Sequence, residues 1–163
     1  MKRIDERIVA SVLALLCFGA ADAPLLAGDS VYGKVVEVRS ADVVVLDYGA
    51  GRYVVHVIGI TPATQRSLAS QATALVSKMV LGKNARLRLG SRLDNGEMVG
   101  QLLVDDPATG VKDLGPELLR QGLVQRAPGD DVQFGYKYLE LSKAESEARQ
   151  ARRGLWAANP PSS

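Results

Sequence analysis

Three consecutive segments near the start of the chain are rich in valine, isoleucine and tyrosine and are separated by short turns. They span residues 31–38, 42–48 and 52–60, and the turns between them are Arg39-Ser40-Ala41 and Gly49-Ala50-Gly51. β-Branched and aromatic residues bounded by small and polar turn residues are typical of antiparallel strands. The pattern predicts a three-stranded meander, which limits the fold to one built on an antiparallel sheet.

Two further strands and three helices are predicted downstream. Residues 84–89 alternate strictly, with Ala85, Leu87 and Leu89 on one face and Arg86 and Arg88 on the other. Asp94-Asn95-Gly96 then turns the chain into a fifth strand over 97–104. Apolar residues at helical spacing predict helices over the three remaining patterned segments, which are 67–81, 113–121 and 136–153.

Five strands with a helix inserted between the third and the fourth match a small, partly open barrel of the oligonucleotide-binding (OB) type. The predicted fold class is mainly β with α (α+β), namely a five-stranded OB-fold barrel with about three helices. The length of the chain fits one domain, which we place at residues 28–158, and residues 159–163 form a short tail.

The first residues have the pattern of a secretory signal. Lys2, Arg3 and Arg7 are basic, an apolar run follows from Ile8 to Ala21, and Ala21-Asp22-Ala23 offers small residues for cleavage. We therefore expect residues 1–23 to be a signal peptide and the protein to be exported, either periplasmic or secreted. An uncleaved anchor is the alternative, and we expect no stable membrane span after removal of the signal.

The single cysteine and the net charge restrict the function only weakly. Cys17 lies inside the apolar run, so cleavage would leave a mature chain without a thiol. The formal charge is +2, whereas proteins that hold a phosphate backbone usually concentrate more lysine and arginine. The charge therefore neither supports nor excludes nucleic-acid binding.

A series of short motifs runs through the predicted barrel and the helices behind it. In chain order they are Val55-His56-Val57-Ile58-Gly59-Ile60-Thr61-Pro62, Asp94-Asn95-Gly96, Leu118-Leu119-Arg120-Gln121-Gly122-Leu123 and Gly154-Leu155-Trp156. With this spacing the chain resembles the staphylococcal nuclease (thermonuclease) family from about Val31 to Trp156. The resemblance implies an OB-type barrel and implies that Trp156 closes its base.

The resemblance also implies where a calcium site would lie. In that family the first hairpin supplies a carboxylate ligand, but here Ala41 stands at that position and Asp42 follows it. A hard divalent cation needs several oxygen ligands, so each carboxylate matters. Asp42 is the candidate metal ligand if the hairpin is shifted by one residue. Its alternative role is that of a turn residue that opens the second strand.

The positions that the resemblance assigns to phosphate binding and to the general base are also altered. His56 and Glu97 stand where the family has two phosphate-clamping arginines, Ala63 stands where it has the catalytic glutamate, and its second metal-binding aspartate has no counterpart near Thr61. Histidine cannot form the two-pronged contact of arginine, and glutamate repels phosphate. His56, Asp94 and Glu97 are the candidates for a rearranged catalytic site, although His56 also fits a half-buried strand position.

Two functions are compatible with these residues. The first is an exported, catalytically inactive module that binds a nucleic acid, a protein or another polymer and needs no cofactor. The second is an active, calcium-dependent phosphodiesterase that hydrolyses DNA or RNA with a rearranged site. The loss of the metal ligands, the base and both arginines together favours the first function.

Overall fold

The computed structural model describes residues 27–49, 51–108, 110–128 and 136–157. The predicted signal peptide at 1–23 and the predicted tail at 159–163 lie outside these residues. In the part that is described, no helix has both the length and the apolar character needed to cross a bilayer.

Five strands form the barrel. They are β1 (Ser30–Val38), β2 (Val43–Asp47), β3 (Arg52–Val57), β5 (Asn84–Arg92) and β6 (Met98–Asp106), with the short strand β4 (Ile60–Pro62) between β3 and β5. Neighbouring strands follow the order β3-β2-β1-β5-β6, and a parallel pairing between β3 and β6 closes the sheet on itself. Closure pairs the backbone N–H and C=O groups that an open sheet would leave unpaired at its edges. The OB-type barrel is confirmed.

Alternation along each strand fills the barrel with aliphatic side chains. Five different strands each contribute a fully buried side chain to this core, namely Val35, Val44, Val55, Leu87 and Leu102. The burial of each such side chain contributes about 1.5–3 kcal/mol. Most strand residues that face the other way remain half-buried or exposed, and His56 is one of them.

Among the described residues, three helices and a short 3₁₀ turn accompany the barrel, which confirms the three helices predicted for this domain. They are α1 (Arg66–Val80), α2 (Leu114–Arg120), α3 (Tyr136–Gln150) and the turn Gly154–Trp156. Residues of α1 at helical spacing belong to the barrel core, namely Leu68, Ala72, Val76 and Val80. Three short strands were not predicted: β4 pairs with β8 (Val124–Arg126), and β7 (Gly110–Asp113) pairs with β6.

The third strand is shorter than the sequence pattern predicts. The pattern runs to Ile60, but β3 ends at Val57 because Gly59 has φ +80°, a left-handed conformation that strands do not use. A side chain at this glycine would overlap Leu141 of α3. The break therefore turns the chain into β4 and lets α3 approach the end of β3.

Trp156 does not close the barrel base as expected. The ring is half-buried and does not belong to the central apolar cluster, while Leu155 packs against that cluster. The Arg149 guanidinium lies 3.8 Å from the centre of the Trp156 ring. Trp156 thus covers the end of α3 through a cation–π contact, and the expectation of a closing aromatic was wrong.

Candidate functional site

His56 lies where the barrel closes. On β3 it faces Val43 of β2 on one side and Val99 of β6 on the other. Successive strand residues point to opposite faces of a sheet, so His56 points outward while its neighbours Val55 and Val57 are buried in the core. Its side chain keeps 32% of its surface exposed. The strand position therefore places the imidazole on the outer surface of the barrel, where neighbouring side chains cover part of it.

The turn between β5 and β6 places Glu97 beside His56. The Leu93 amide donates to the Glu97 carbonyl at 2.8 Å, and the Gly96 amide donates to the Leu93 carbonyl at 2.9 Å. The Glu97 amide donates to the Asn95 side-chain oxygen at 3.0 Å, and Gly96 has φ +85°. These bonds hold the turn compactly at the start of β6, directly beside β3.

The two side chains form a short hydrogen bond. His56 Nε2 lies 2.6 Å from Glu97 Oε2, and the glutamate side chain is 28% exposed. Hydrogen bonding from His56, followed by hydrogen bonding from the Asn95 side chain, lowers the pKa of Glu97, and the charges of His56 and Arg39 add to this effect. Partial burial opposes it. Glu97 is consequently a carboxylate at neutral pH.

The pair brings together the two positions that the resemblance assigns to phosphate-clamping arginines. A pair of arginines there would present two guanidinium groups to a phosphate. Here the two side chains bind each other instead, and the carboxylate of Glu97 faces the same region. The arrangement offers a hydrogen-bonded acid–base pair on the outer surface of the barrel, beside the pairing of β3 with β6.

Asp42 is engaged in its own turn. Ser40 Oγ donates to Asp42 Oδ1 at 2.7 Å, and the Asp42 carbonyl accepts the Val57 amide at 2.7 Å. Both contacts fix the turn between β1 and β2. Ala41, the residue before it, is 1% exposed and belongs to the apolar core.

The other predicted positions do not join the pair. Thr61 is exposed on β4, and Ala63 is a core residue with 6% exposure. Asp94 is exposed in the β5–β6 turn. In the described ranges of the chain, no group of three or more His, Cys, Asp or Glu side chains is placed to share a metal ion. This donor set does not fit calcium, which takes roughly six to eight oxygen ligands.

Two arginines close to the pair are held by other partners. Arg39 Nε lies 3.1 Å from Glu37 Oε1, and the Arg92 guanidinium lies 5.8 Å from the centre of the Tyr53 ring. Tyr53 in turn stacks on Tyr48 with ring centres 4.8 Å apart. This stack was not predicted, although two tyrosines that flank the same glycine-containing turn are a signal for cross-strand contact.

The roles of Arg39 and Asn95 were also missed. Arg39 was assigned only to a turn, yet its charge helps to lower the pKa of Glu97. Asn95 was recognised as a turn residue, and its side chain supports both the backbone and the carboxylate of Glu97. An asparagine placed two residues before a candidate acid in a tight turn is a signal that could have indicated this role.

The closed five-stranded barrel with its helices places the protein among α+β proteins of the OB type. The family model of the staphylococcal nuclease homologues matches residues 56–158, which is more than half of the chain. The protein therefore belongs to the family of staphylococcal nuclease homologues. The matched segment begins at His56 and includes Glu97, so both members of the pair lie within it. No curated protein matches the chain.

Proposed function

We propose that this member of the family is an exported binding module that does not hydrolyse phosphodiesters by the calcium-dependent mechanism. The observation that carries the proposal is the 2.6 Å bond between His56 and Glu97. It occupies the region in which the resemblance implies two arginines on the substrate phosphate. A carboxylate at that point repels the negative charge of the phosphate undergoing hydrolysis.

The neighbouring positions support the same proposal. Ala41 and Ala63 are buried alanines, and Asp42 already accepts a hydrogen bond from Ser40. Neither alanine side chain can bind a cation. Asp42, the remaining carboxylate of this hairpin, is hydrogen-bonded within the turn. We infer that these positions hold no calcium and that the protein acts by binding a nucleic acid, a protein or another polymer.

Export is the second part of the proposal. It rests on the basic residues, the apolar run and the small residues within positions 1–23. We propose that the protein works in the periplasm or outside the cell.

A nuclease assay tests the absence of hydrolysis. Purified protein is incubated with single-stranded DNA and with RNA, in calcium and in chelator, beside a calcium-dependent nuclease as the positive control. We expect no fragments that depend on calcium. Calcium-dependent cleavage that disappears in Asp42→Ala would overturn the proposal and establish an active nuclease with a rearranged site.

A further inference from the structure

Two arginines on β5 face away from the core of the barrel. Ala85, Leu87 and Leu89 are buried, and successive strand residues point to opposite faces of a sheet, so Arg86 and Arg88 point outward. Arg88 is exposed and Arg86 is half-buried. Neither arginine takes part in the site described above.

An exposed tyrosine on β1 lies beside these arginines. The register of β1 with β5 places Tyr32 opposite Arg86 and Ser30 opposite Arg88. Arg86 Nη1 donates to the Tyr32 hydroxyl at 3.4 Å, and the guanidinium carbon of Arg86 lies 5.9 Å from the centre of the ring. Tyr32 nevertheless keeps 67% of its surface exposed. The arginine therefore orients the ring, and most of the tyrosine stays accessible to a ligand.

This Tyr32–Arg86–Arg88 surface is distant from the His56–Glu97 pair around the barrel. The strand order is β3-β2-β1-β5-β6, and the pair lies where β3 and β6 close the barrel. The surface lies at the pairing of β1 with β5, which is two strand pairings away in one direction and three in the other. A ligand on this surface therefore does not need the pair.

The residues opposite the two arginines are uncharged on β6 as they are on β1. The register places Leu103 opposite Arg86 and Gln101 opposite Arg88. The carboxylate of Asp113 lies beyond Gln101, on β7, and accepts a hydrogen bond from Gln101 Nε2 at 2.8 Å. The surface thus combines an accessible aromatic ring with two guanidinium groups on adjacent strands.

We propose that the Tyr32–Arg86–Arg88 surface is a binding site for single-stranded nucleic acid, in which a base stacks on Tyr32 and phosphates contact Arg86 and Arg88. This inference rests on the proposed function as a binding module. It narrows the ligand to one class and assigns it to a surface apart from the His56–Glu97 pair.

The chemistry of the three side chains supports this class of ligand. Bases stack on aromatic side chains whatever their sequence, and a guanidinium group, with five N–H donors, can bind phosphate while one donor stays on a tyrosine. Alternate residues of a strand are roughly 6.8 Å apart, which is close to the separation of successive phosphates in an extended single strand. A nucleic acid alternates flat aromatic groups with negative charges, whereas an acidic polysaccharide has the charges without the aromatic groups.

Fluorescence anisotropy with a labelled single-stranded DNA decamer, in chelator and at several salt concentrations, tests the proposal. Tyr32→Leu should weaken binding about five-fold or more, because it removes the stacking ring. It should leave the dependence of affinity on salt unchanged. Arg86→Gln should weaken binding and reduce the slope of log affinity against log salt by about 0.7, the value for one lost phosphate contact on a single strand. Arg88→Gln should reduce the slope in the same way.

Arg66→Gln is the matched control. It removes the same charge from an exposed position on α1 and should leave both the affinity and the slope unchanged. All four substitutions replace residues outside the buried core, and urea unfolding of each variant verifies that it is folded. Unchanged affinity in Tyr32→Leu, or equal losses in Arg66→Gln and Arg86→Gln, would overturn the proposal, because binding would then follow net charge alone.

Competition separates the two classes of polyanion. Polygalacturonate has negative charges but no bases, so we expect it to displace the DNA much less effectively than unlabelled DNA does. Equal displacement would overturn the proposal and assign the surface to acidic polysaccharides. Failure of the DNA to bind at low salt would also overturn it, while a protein or another polymer would remain as the ligand of the binding module. Cleavage in calcium would instead contradict the proposed absence of hydrolysis and leave this binding site standing.

Discussion

Gly122 and Gly154 pack backbone against backbone. The Leu155 amide donates to the Gly122 carbonyl at 2.9 Å, and both glycines have a positive φ. A side chain on Gly122 would overlap the Arg153 carbonyl, and one on Gly154 would overlap the Gly122 carbonyl. This contact fixes the end of α2 to the turn after α3, so the C-terminal segment docks through two residues that have no side chains.

The first prediction concerns that contact. Gly122→Ala should lower the free energy of unfolding by about 2–4 kcal/mol, because it adds steric overlap to an unfavourable φ. Gly82→Ala is the matched control: Gly82 has φ +76°, and nothing lies within 4 Å of an added side chain. It should cost only about 1 kcal/mol. Urea denaturation of the two variants measures the difference, and equal losses would show that the segment does not dock as described.

A second prediction concerns the half-buried tryptophan. Trp156→Ala should lower the free energy of unfolding by about 1–3 kcal/mol, because it removes the cation–π contact with Arg149 and part of the buried apolar surface. Leu139→Ala, a 70% exposed position on α3, should change it by less than about 0.5 kcal/mol. The midpoints of thermal or urea unfolding give both values. A loss above about 4 kcal/mol for Trp156→Ala would indicate a fully enclosed ring instead.

The third prediction concerns the charge of the His56–Glu97 pair. The double variant His56→Arg with Glu97→Arg should bind a single-stranded DNA decamer about ten-fold more tightly than the unmodified protein at low salt, because it presents two guanidinium groups. Asp105→Arg with Gln125→Arg adds the same charge at exposed positions elsewhere and is the control. Fluorescence anisotropy at several salt concentrations measures both. Equal gains in affinity would mean that net charge, rather than the position of the two arginines, determines DNA binding.

The fourth prediction concerns acid stability. A lowered pKa means that the Glu97 carboxylate stabilises the fold above the ordinary glutamate pKa of about 4.3 and that this stabilisation is lost as the pH falls through the lowered value. Glu97→Gln should therefore unfold more readily than the unmodified protein at pH 6, and the difference should shrink towards pH 3. Urea titrations across this range test the trend. A difference that grows in acid would contradict the assignment of the pair.

The fifth prediction concerns processing. If residues 1–23 are cleaved, the mature protein from the producing cell should begin between Asp22 and Gly28 and contain no cysteine. N-terminal sequencing or intact mass of the extracellular and periplasmic fractions gives the answer. An intact N-terminus on protein recovered from the cytosol would contradict export.

The sequence predicts the barrel well because its strands alternate and its helices repeat. Residues 84–89 lie within β5, and the predicted helix at 67–81 differs from α1 by one residue at each end. The short strands β4, β7 and β8 were missed because segments of three or four residues are too short to show a period. The end of β3 was missed because a glycine fits either a strand or a break, and only its packing against Leu141 decides between them.

The sequence identified the candidate site residues one by one, but it did not predict the hydrogen bond between His56 and Glu97. The family resemblance singled out His56 and Glu97 separately. Their contact depends on the closure of the barrel between β3 and β6, and this long-range pairing leaves no local pattern in the sequence. The contact of the Arg92 guanidinium with the Tyr53 ring joins β5 to β3 and was missed for the same reason.

The burial of Ala41 and Ala63 has an evolutionary consequence. Each alanine is surrounded by core residues, so a single change to aspartate or glutamate would bring a carboxylate into an apolar environment without a partner. Buried unpaired charges are costly, and most domains have little stability to spare. A lineage that carries these alanines is therefore expected to accept an acidic side chain there only together with changes that give the carboxylate a partner or water.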